Sequence, residues 1–259
     1  SGKGRMSLRN YGTAARVGLV AAVVMFGLSG CGKSHDRGAL WKVVHGRCAA
    51  DAEHKPCTVY DEKDGYALLK DHTGHGQYLV IPTQKVPGVE DPVLLKPETP
   101  NYFAEAWGER AHVAQSYGFG IPDEHLSMAI NSRPGRTQDQ LHIHLDCLTA
   151  YARAELDKNM ITENWSLVSL YGHPYRARIV ASLDPSPFRV IAADDMSIHT
   201  LVVTPAKHGG FILLDDMAHV FDHGAGEELQ DHSCHLDDPH HKTMIMDGMD
   251  MGEHPNGMM

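Results

Sequence analysis

The residues best suited to chemistry lie between Asn131 and Cys147. His142 and His144 stand two apart, behind a loop that holds Gly135, Arg133 and Arg136. From Gln140 to Asp146 polar and apolar residues alternate, the mark of a half-buried strand. Residues two apart on a strand share a face. Gln140, His142, His144 and Asp146 are therefore expected on one side, with Leu141, Ile143 and Leu145 in the core. An uncharged imidazole can attack phosphorus, and guanidinium forks match phosphate oxygens. The layout predicts an anion-binding loop beside a nucleophilic histidine, with the amides of Asn131, Gln138 and Gln140 as further donors. A His-x-His pair also suits zinc, which takes imidazole nitrogens in a tetrahedral shell. Two fixed cations would repel that metal, so the arginines favour the anion, and no resident metal or cofactor is expected. Two surface histidines on a solvated strand would leave the arginines and amides unexplained.

These residues carry a resemblance. Asn131, Gly135-x-Thr137 and His142-x-His144 are similar to the active-site strand of the histidine-triad superfamily of nucleotide hydrolases and transferases. The fuller string, Ser127-Met128-Ala129-Ile130-Asn131-Ser132-Arg133, Gly135-Arg136-Thr137-Gln138, His142-Ile143-His144 and Cys147, resembles the bacterial CDP-diacylglycerol pyrophosphatases, a membrane-associated family. Further matching pieces are Gly65 to Asp71, Gln77 to Thr83, and Asp231-His232-x-Cys234, so the likeness runs from about Trp41 to about Cys234.

The resemblance implies an α+β fold, a HIT-like antiparallel β-sheet with flanking helices in a single catalytic domain. It implies hydrolysis of CDP-diacylglycerol to CMP and phosphatidate through a nucleotidyl-histidine. His142, in the middle position, would be the nucleophile, and His144 would contact a phosphate or bridging oxygen. Thr137 would offer its hydroxyl and Asn131 its amide to the phosphoryl group. Gln140 stands where the superfamily has its first histidine; it would bound the phosphate but cannot become a cation. Asp71 falls where the superfamily sets a carboxylate on ribose hydroxyls, although capping a turn is the commoner work of an Asp there. By charge alone, Arg133 and Arg136 would take the second phosphate. Transfer to an alcohol, or cleavage of soluble nucleotide diphosphates, are neighbouring readings that the sequence does not separate.

Several elements must position these groups. Tyr66 to Lys70 and Gln77 to Pro82 read as strands on either side of a hairpin at His72-Thr73-Gly74-His75-Gly76. His125 to Asn131 and Leu141 to Cys147 read as paired strands around the loop. Ser197 to Thr204 and Gly210 to Leu214 make another pair. Leu40 to Cys48 reads as a helix with Trp41, Val44 and Cys48 on one face. A helix is predicted from Asn101 through about Tyr117, stopped by Gly118, and another from Tyr151 to Ile161. Pro87 to Pro100 reads as a loop. Antiparallel hairpins with a few segregated helices again mean α+β.

The 259 residues carry a net charge of −10, which argues against a nucleic-acid partner. From Asp222 on there are nine acids and one base, so the remainder is nearly balanced. Residues 1–31 read as a lipoprotein-type signal segment: Arg5, Arg9 and Arg16 precede an apolar run from Val17 to Leu28, then Leu28-Ser29-Gly30-Cys31. Cys31 would be lipidated, or the segment would stay as an uncleaved N-terminal anchor; either puts residues 32–236, the catalytic domain, at the periplasmic face of a bacterial membrane. Four other cysteines remain, and an oxidising compartment favours two disulfides among three pairings. Cys48 with Cys57 would close a short loop and Cys147 with Cys234 a long one, and these two bridges are expected. Residues 237–259 mix His240, His241 and His254 with methionines and acids, a composition that predicts a disordered tail. Thioethers with imidazoles suit weak copper binding, so a periplasmic copper-binding protein is the reading of a different class.

Overall fold

The computed structural model describes residues 36–219 and 224–236, together with two short strands at 245–246 and 249–250. Helix α1 (Ala39–Trp41) runs on as a wide π-type turn, Lys42–Cys48. Strands β1 (Val59–Asp61), β2 (Tyr66–Lys70) and β3 (Tyr78–Pro82) form an antiparallel meander. Helices α2 (Tyr102–Gly108) and α3 (Ala111–Tyr117) follow, then β4 (Leu126–Ile130), β5 (Ile143–Leu148) and α4 (Ala150–Lys158). The chain continues through β6 (Ser166–Leu170), β7 (His173–Val180), α5 (Pro187–Ile191), β8 (His199–Pro205), β9 (Phe211–Met217) and β10 (Gln230–Asp231). The strands β11 (Ile245–Met246) and β12 (Met249–Asp250) pair with each other. Among the described residues no helix is long and apolar enough to cross a membrane. The signal segment, Cys31 and most of the tail lie outside the described residues.

One antiparallel sheet organises the domain, in the order β1-β2-β3-β5-β4-β8-β9-β7-β6, with β10 added to the far end of β5. This is an α+β architecture. One face packs on α2, α3 and α5 through Ile143, Leu145, Met128, Phe103 and Phe188. The other face divides in two. Over β2 and β3, the side chains Ala67, Leu79 and Ile81 meet Leu40, Val44 and the Cys48–Cys57 bridge. Over β4, β8, β9 and β7, the side chains Ala129, Val202, Leu214 and Ala177 meet Ala152 and Leu156 of α4. β5 lies between these halves, and all six of its residues are buried. The expected half-buried strand is thus covered on both faces, because a central strand with packed layers above and below has no solvent side.

Other expectations shift in detail. In the 39–48 segment Leu40, not Trp41, joins Val44 and Cys48 inside, while Trp41 stacks on His45. A π-type turn holds more residues per turn than an α-helix, so inward positions recur every four residues there. The predicted 101–117 helix breaks after Gly108, a weak helix former. Glu109 there bonds to the Tyr66 hydroxyl at 2.5 Å, and Arg110 bonds to Asp123 and stacks on Trp107. α4 begins at a Thr149 cap and stops at Lys158, before the expected end. The 87–100 loop contains a short 3₁₀ turn, Pro92–Leu95.

Candidate active site

His142 immediately precedes β5, and its Nδ1 lies 2.7 Å from the Gln140 carbonyl oxygen. A carbonyl only accepts, so Nδ1 carries the proton and Nε2 keeps its lone pair. That nitrogen has no hydrogen-bond partner among the described residues. The ring is 7% exposed and lines a cavity of about 10 Å³ with Asn131, Arg136 and Gly88. Such a space holds about one water. Burial, helped by the neighbouring His144 ring, pushes the His142 pKa down to about 4. His142 is therefore neutral at neutral pH, as a nucleophile must be.

The register places His144 opposite Leu79 of β3 and Ala129 of β4, at the seam between the two apolar halves of that face. Its ring stands edge-on to His142, with centroids 4.7 Å apart. His144 Nδ1 lies 3.0 Å from Glu227 Oε1 and 2.6 Å from the amide nitrogen of Gln77. Nε2 of the same ring is buried without a partner among the described residues. The pairing of two imidazoles on one face is as expected. Asp146, also on that face, points into the protein and not to ligand: it accepts from Tyr117 Oη at 3.0 Å and meets His232 Nδ1 at 2.8 Å.

Glu227 belongs to a 3₁₀ turn, Gly226–Leu229, that leads into β10. Three contacts seat this turn over the histidines. Asn131 donates from Nδ2 to Glu227 Oε2 at 2.6 Å, and its Oδ1 accepts from the Gly226 N–H at 2.9 Å. The Thr149 N–H donates to the Leu229 carbonyl at 2.8 Å. A glycine at 226 is required by the close approach: a Cβ there would come within 2.8 Å of Val202 and 3.3 Å of Ala129. Burial acts to raise the Glu227 pKa, but the His144 ring and the Asn131 amide outweigh it and hold the carboxyl below its ordinary value.

The loop departs from expectation at three positions. Gln140 borders the cavity, but its side-chain amide is committed to backbone and not turned to an anion. Its amide donates to the Pro82 and Gln84 carbonyls at 3.1 and 2.8 Å and accepts from the Val86 N–H, so its side chain pins the 82–86 segment. Arg136, expected on a phosphate, is engaged by carboxylates. It grips Glu90 with both terminal nitrogens at 2.6 and 2.7 Å and also bonds to Asp139. A buried guanidinium needs its charge compensated, and in the ligand-free site these carboxylates do so. Gln138 bonds the backbone of Asp36 and Leu40. Arg133 and Thr137 are exposed on the loop.

Asp71 caps its own turn, accepting from the Thr73 N–H and from His72. Burial raises its pKa, but the His144 ring and these bonds lower it further, leaving a net depression. It therefore sits near the histidines while doing a turn's work. Both expected disulfides are present, Cys48–Cys57 and Cys147–Cys234. Among the described residues no three His, Cys, Asp or Glu side chains are gathered as a metal site.

Two residues escaped the sequence reading. Gln77 stood inside a recognisable strand, yet nothing marked its amide for His144. Glu227 lies 96 residues from Asn131, in an acidic stretch whose spacing points nowhere.

The profile of the CDP-diacylglycerol pyrophosphatases matches residues 35–238. A CDP-diacylglycerol pyrophosphatase from Yersinia pestis is 37% identical over 217 residues, covering 76% of this chain and 84% of that protein.

Proposed function

The chain belongs to the CDP-diacylglycerol pyrophosphatase family, and we propose that it hydrolyses CDP-diacylglycerol to CMP and phosphatidate through a cytidylyl group carried on His142. The observation that carries this reading is the Nε2 of a neutral, buried imidazole, without a partner among the described residues, whose Nδ1–H is held by a carbonyl. In the first displacement Nε2 bonds to the phosphorus bearing cytidine, and the bond from that phosphorus to the bridging oxygen breaks. Phosphatidate leaves with the bridging oxygen. The substituted ring is then cationic, and the Gln140 carbonyl accepts from its Nδ1–H throughout. In the second displacement water bonds to phosphorus, the phosphorus–nitrogen bond breaks, CMP departs and His142 returns neutral.

His144 sits where it can assist both steps. Its Nε2 gives a proton to the bridging oxygen and then takes one from the attacking water. Asn131, on the wall of the same cavity, offers its remaining donor to phosphoryl oxygen, and Thr137 adds a hydroxyl from the rim. Arg133 supplies charge for the second phosphate. Arg136 reaches it only by exchanging Glu90 for substrate, and the small cavity calls for that loop to open. Gln140 acts on phosphate only through its backbone. Asp71 would meet the ribose after its turn adjusts. Kinship with the histidine-triad superfamily is supported by the order Asn131, Gly135-x-Thr137, His142-x-His144.

The same reading sets the domain on the outer side of a bacterial membrane, with Cys31 lipidated. Two disulfides suit such an oxidising compartment.

His142→Ala is expected to abolish turnover, and His144→Ala to slow it by about a hundred-fold or more. Rapid quenching with CDP-diacylglycerol radiolabelled in the cytidine should trap an adduct on the wild type and none on His142→Ala. An adduct that persists on the variant would overturn the path. Soluble nucleotide diphosphates run alongside test the substrate class.

A further inference from the structure

We infer that Glu227 is a positioning residue that assigns the positive charge of the histidine pair to His144 and so keeps His142 able to attack. The inference rests on the covalent reading above and adds what that reading lacks, a reason for two adjacent imidazoles to behave differently.

With centroids 4.7 Å apart, the rings cannot both hold a proton cheaply. Their Nδ1 atoms face different partners. His142 faces a neutral carbonyl, which fixes a tautomer. His144 faces the Glu227 carboxylate at 3.0 Å, which favours a proton on Nδ1, and the Gln77 amide at 2.6 Å, which accepts from that proton once its oxygen, without a partner among the described residues, is turned to the ring. The strands on either side of His144 face it with Leu79 and Ala129, and the charged groups nearby come from other elements. Arg136, on the wall of the His142 cavity, is committed to Glu90 and Asp139. Asp146, farther along β5, is committed to His232 and Tyr117. Asp71, from the β2–β3 hairpin, is committed to its turn and His72. His232 follows β10 and pairs with Asp146. Among the described residues, Glu227 is the carboxylate within hydrogen-bonding distance of either ring. Its second oxygen is fixed by Asn131, which also lines the His142 cavity, so one side chain ties both rings to the turn that carries the charge.

The charge placement suits the chemistry at both ends. A cationic His144 presents Nε2–H where the bridging oxygen leaves, and that nitrogen is buried without a partner among the described residues. The same cation discourages a second proton on His142. Two titratable groups pushed in opposite directions make an acid and a nucleophile out of one residue type.

Glu227→Gln keeps the shape of the side chain and removes the charge. One change should follow in kcat/KM measured from about pH 4 to 9: the basic limb should move down by about one unit or more, because no carboxylate then favours a proton on the ring that Glu227 faces. The acidic limb should not move up, because Glu227 also favours a proton on His142. The optimum should fall about ten-fold or more. Glu227→Asp, which restores the charge at a shorter reach, should recover part of the width. Limbs of Glu227→Gln that superimpose on those of the wild type, at any height, would overturn the inference.

A second measurement needs no variant. In wild-type protein with nitrogen-15 in its histidine rings, magnetic resonance near neutral pH should show His142 neutral with the proton on Nδ1 and His144 as imidazolium; the reverse assignment would also overturn the inference. If the wild type yields no cytidylyl adduct, the covalent reading fails by itself, and the ring assignments still decide the role of Glu227.

Discussion

With its Nδ1 proton bonded to the Gln140 carbonyl, the His142 ring can form a bond at Nε2 without first losing a proton. Burial makes the neutral form cheap, and folding is charged for it in acid. In the unfolded chain a histidine titrates near pH 6.5, well above the value of about 4 for its folded counterpart here. Between those values the unfolded state binds more protons, so stability falls as pH drops from about 6.5 through about 4. His142→Asn, which cannot titrate, should flatten the acid side of a plot of Tm against pH. An unchanged slope would mean that the ring titrates normally. At this scale the pair of adjacent imidazoles was legible from the His-x-His spacing and the loop before it. The work of Gln140 and Arg136 was not: a glutamine or arginine in a loop reads the same whether it meets a ligand or the protein's own carbonyls and carboxylates. Glu227 lay beyond any local rule, since only tertiary packing joins it to Asn131.

Strand β5 is the element on which the site is built, with neighbours on both edges and cover on both faces. Its far end is fixed by β10 and by the Cys147–Cys234 bridge, which joins positions 87 apart. That bridge also holds the stretch that presents Glu227. In the chain-entropy account, removing it costs about 4–5 kcal/mol, against about 2–3 for the nine-residue separation of Cys48–Cys57. Cys234→Ser should therefore lower Tm more than Cys57→Ser and should also cut turnover, as melting curves and rate assays on both variants would show; equal losses of Tm would contradict this. The alternating or apolar strands β2–β5, β8 and β9 were legible from their patterns. The hairpin of β6 and β7 was not. Its turn is Tyr171-Gly172, both residues at positive φ (50° and 87°), and a tyrosine there is rare. Pro174 inside β7 also argues against a strand by rule.

For the whole molecule, the sheet unites a chain whose reactive groups come from distant stretches: Gln77, Asn131, His142, His144 and Glu227. The α+β class followed from the hairpins, while the closing of the site by residues 224–231 did not, because a short acidic turn gives no periodic signal. The boundary at Leu236 can be tested. A chain ending there should keep its turnover of CDP-diacylglycerol, since the described contacts of the site stop before it, whereas a chain ending at Gly224 should lose it. Loss in the first truncation would give the His/Met-rich tail a part in catalysis, and copper titration of both forms would show whether the tail is a ligand.

The leading end of the domain is stitched to the loop that precedes His142. Arg37 grips Asp139 through two bonds of 2.8 Å and donates to the Arg136 carbonyl, and the Asp139 N–H returns a bond to Arg37. A tug applied upstream of Asp36 would thus be felt at the reaction centre before it reached the interior of the sheet. Whatever holds that end steers the mouth of the cavity, and a cargo spliced there would ride on the working edge of the enzyme and not on its back.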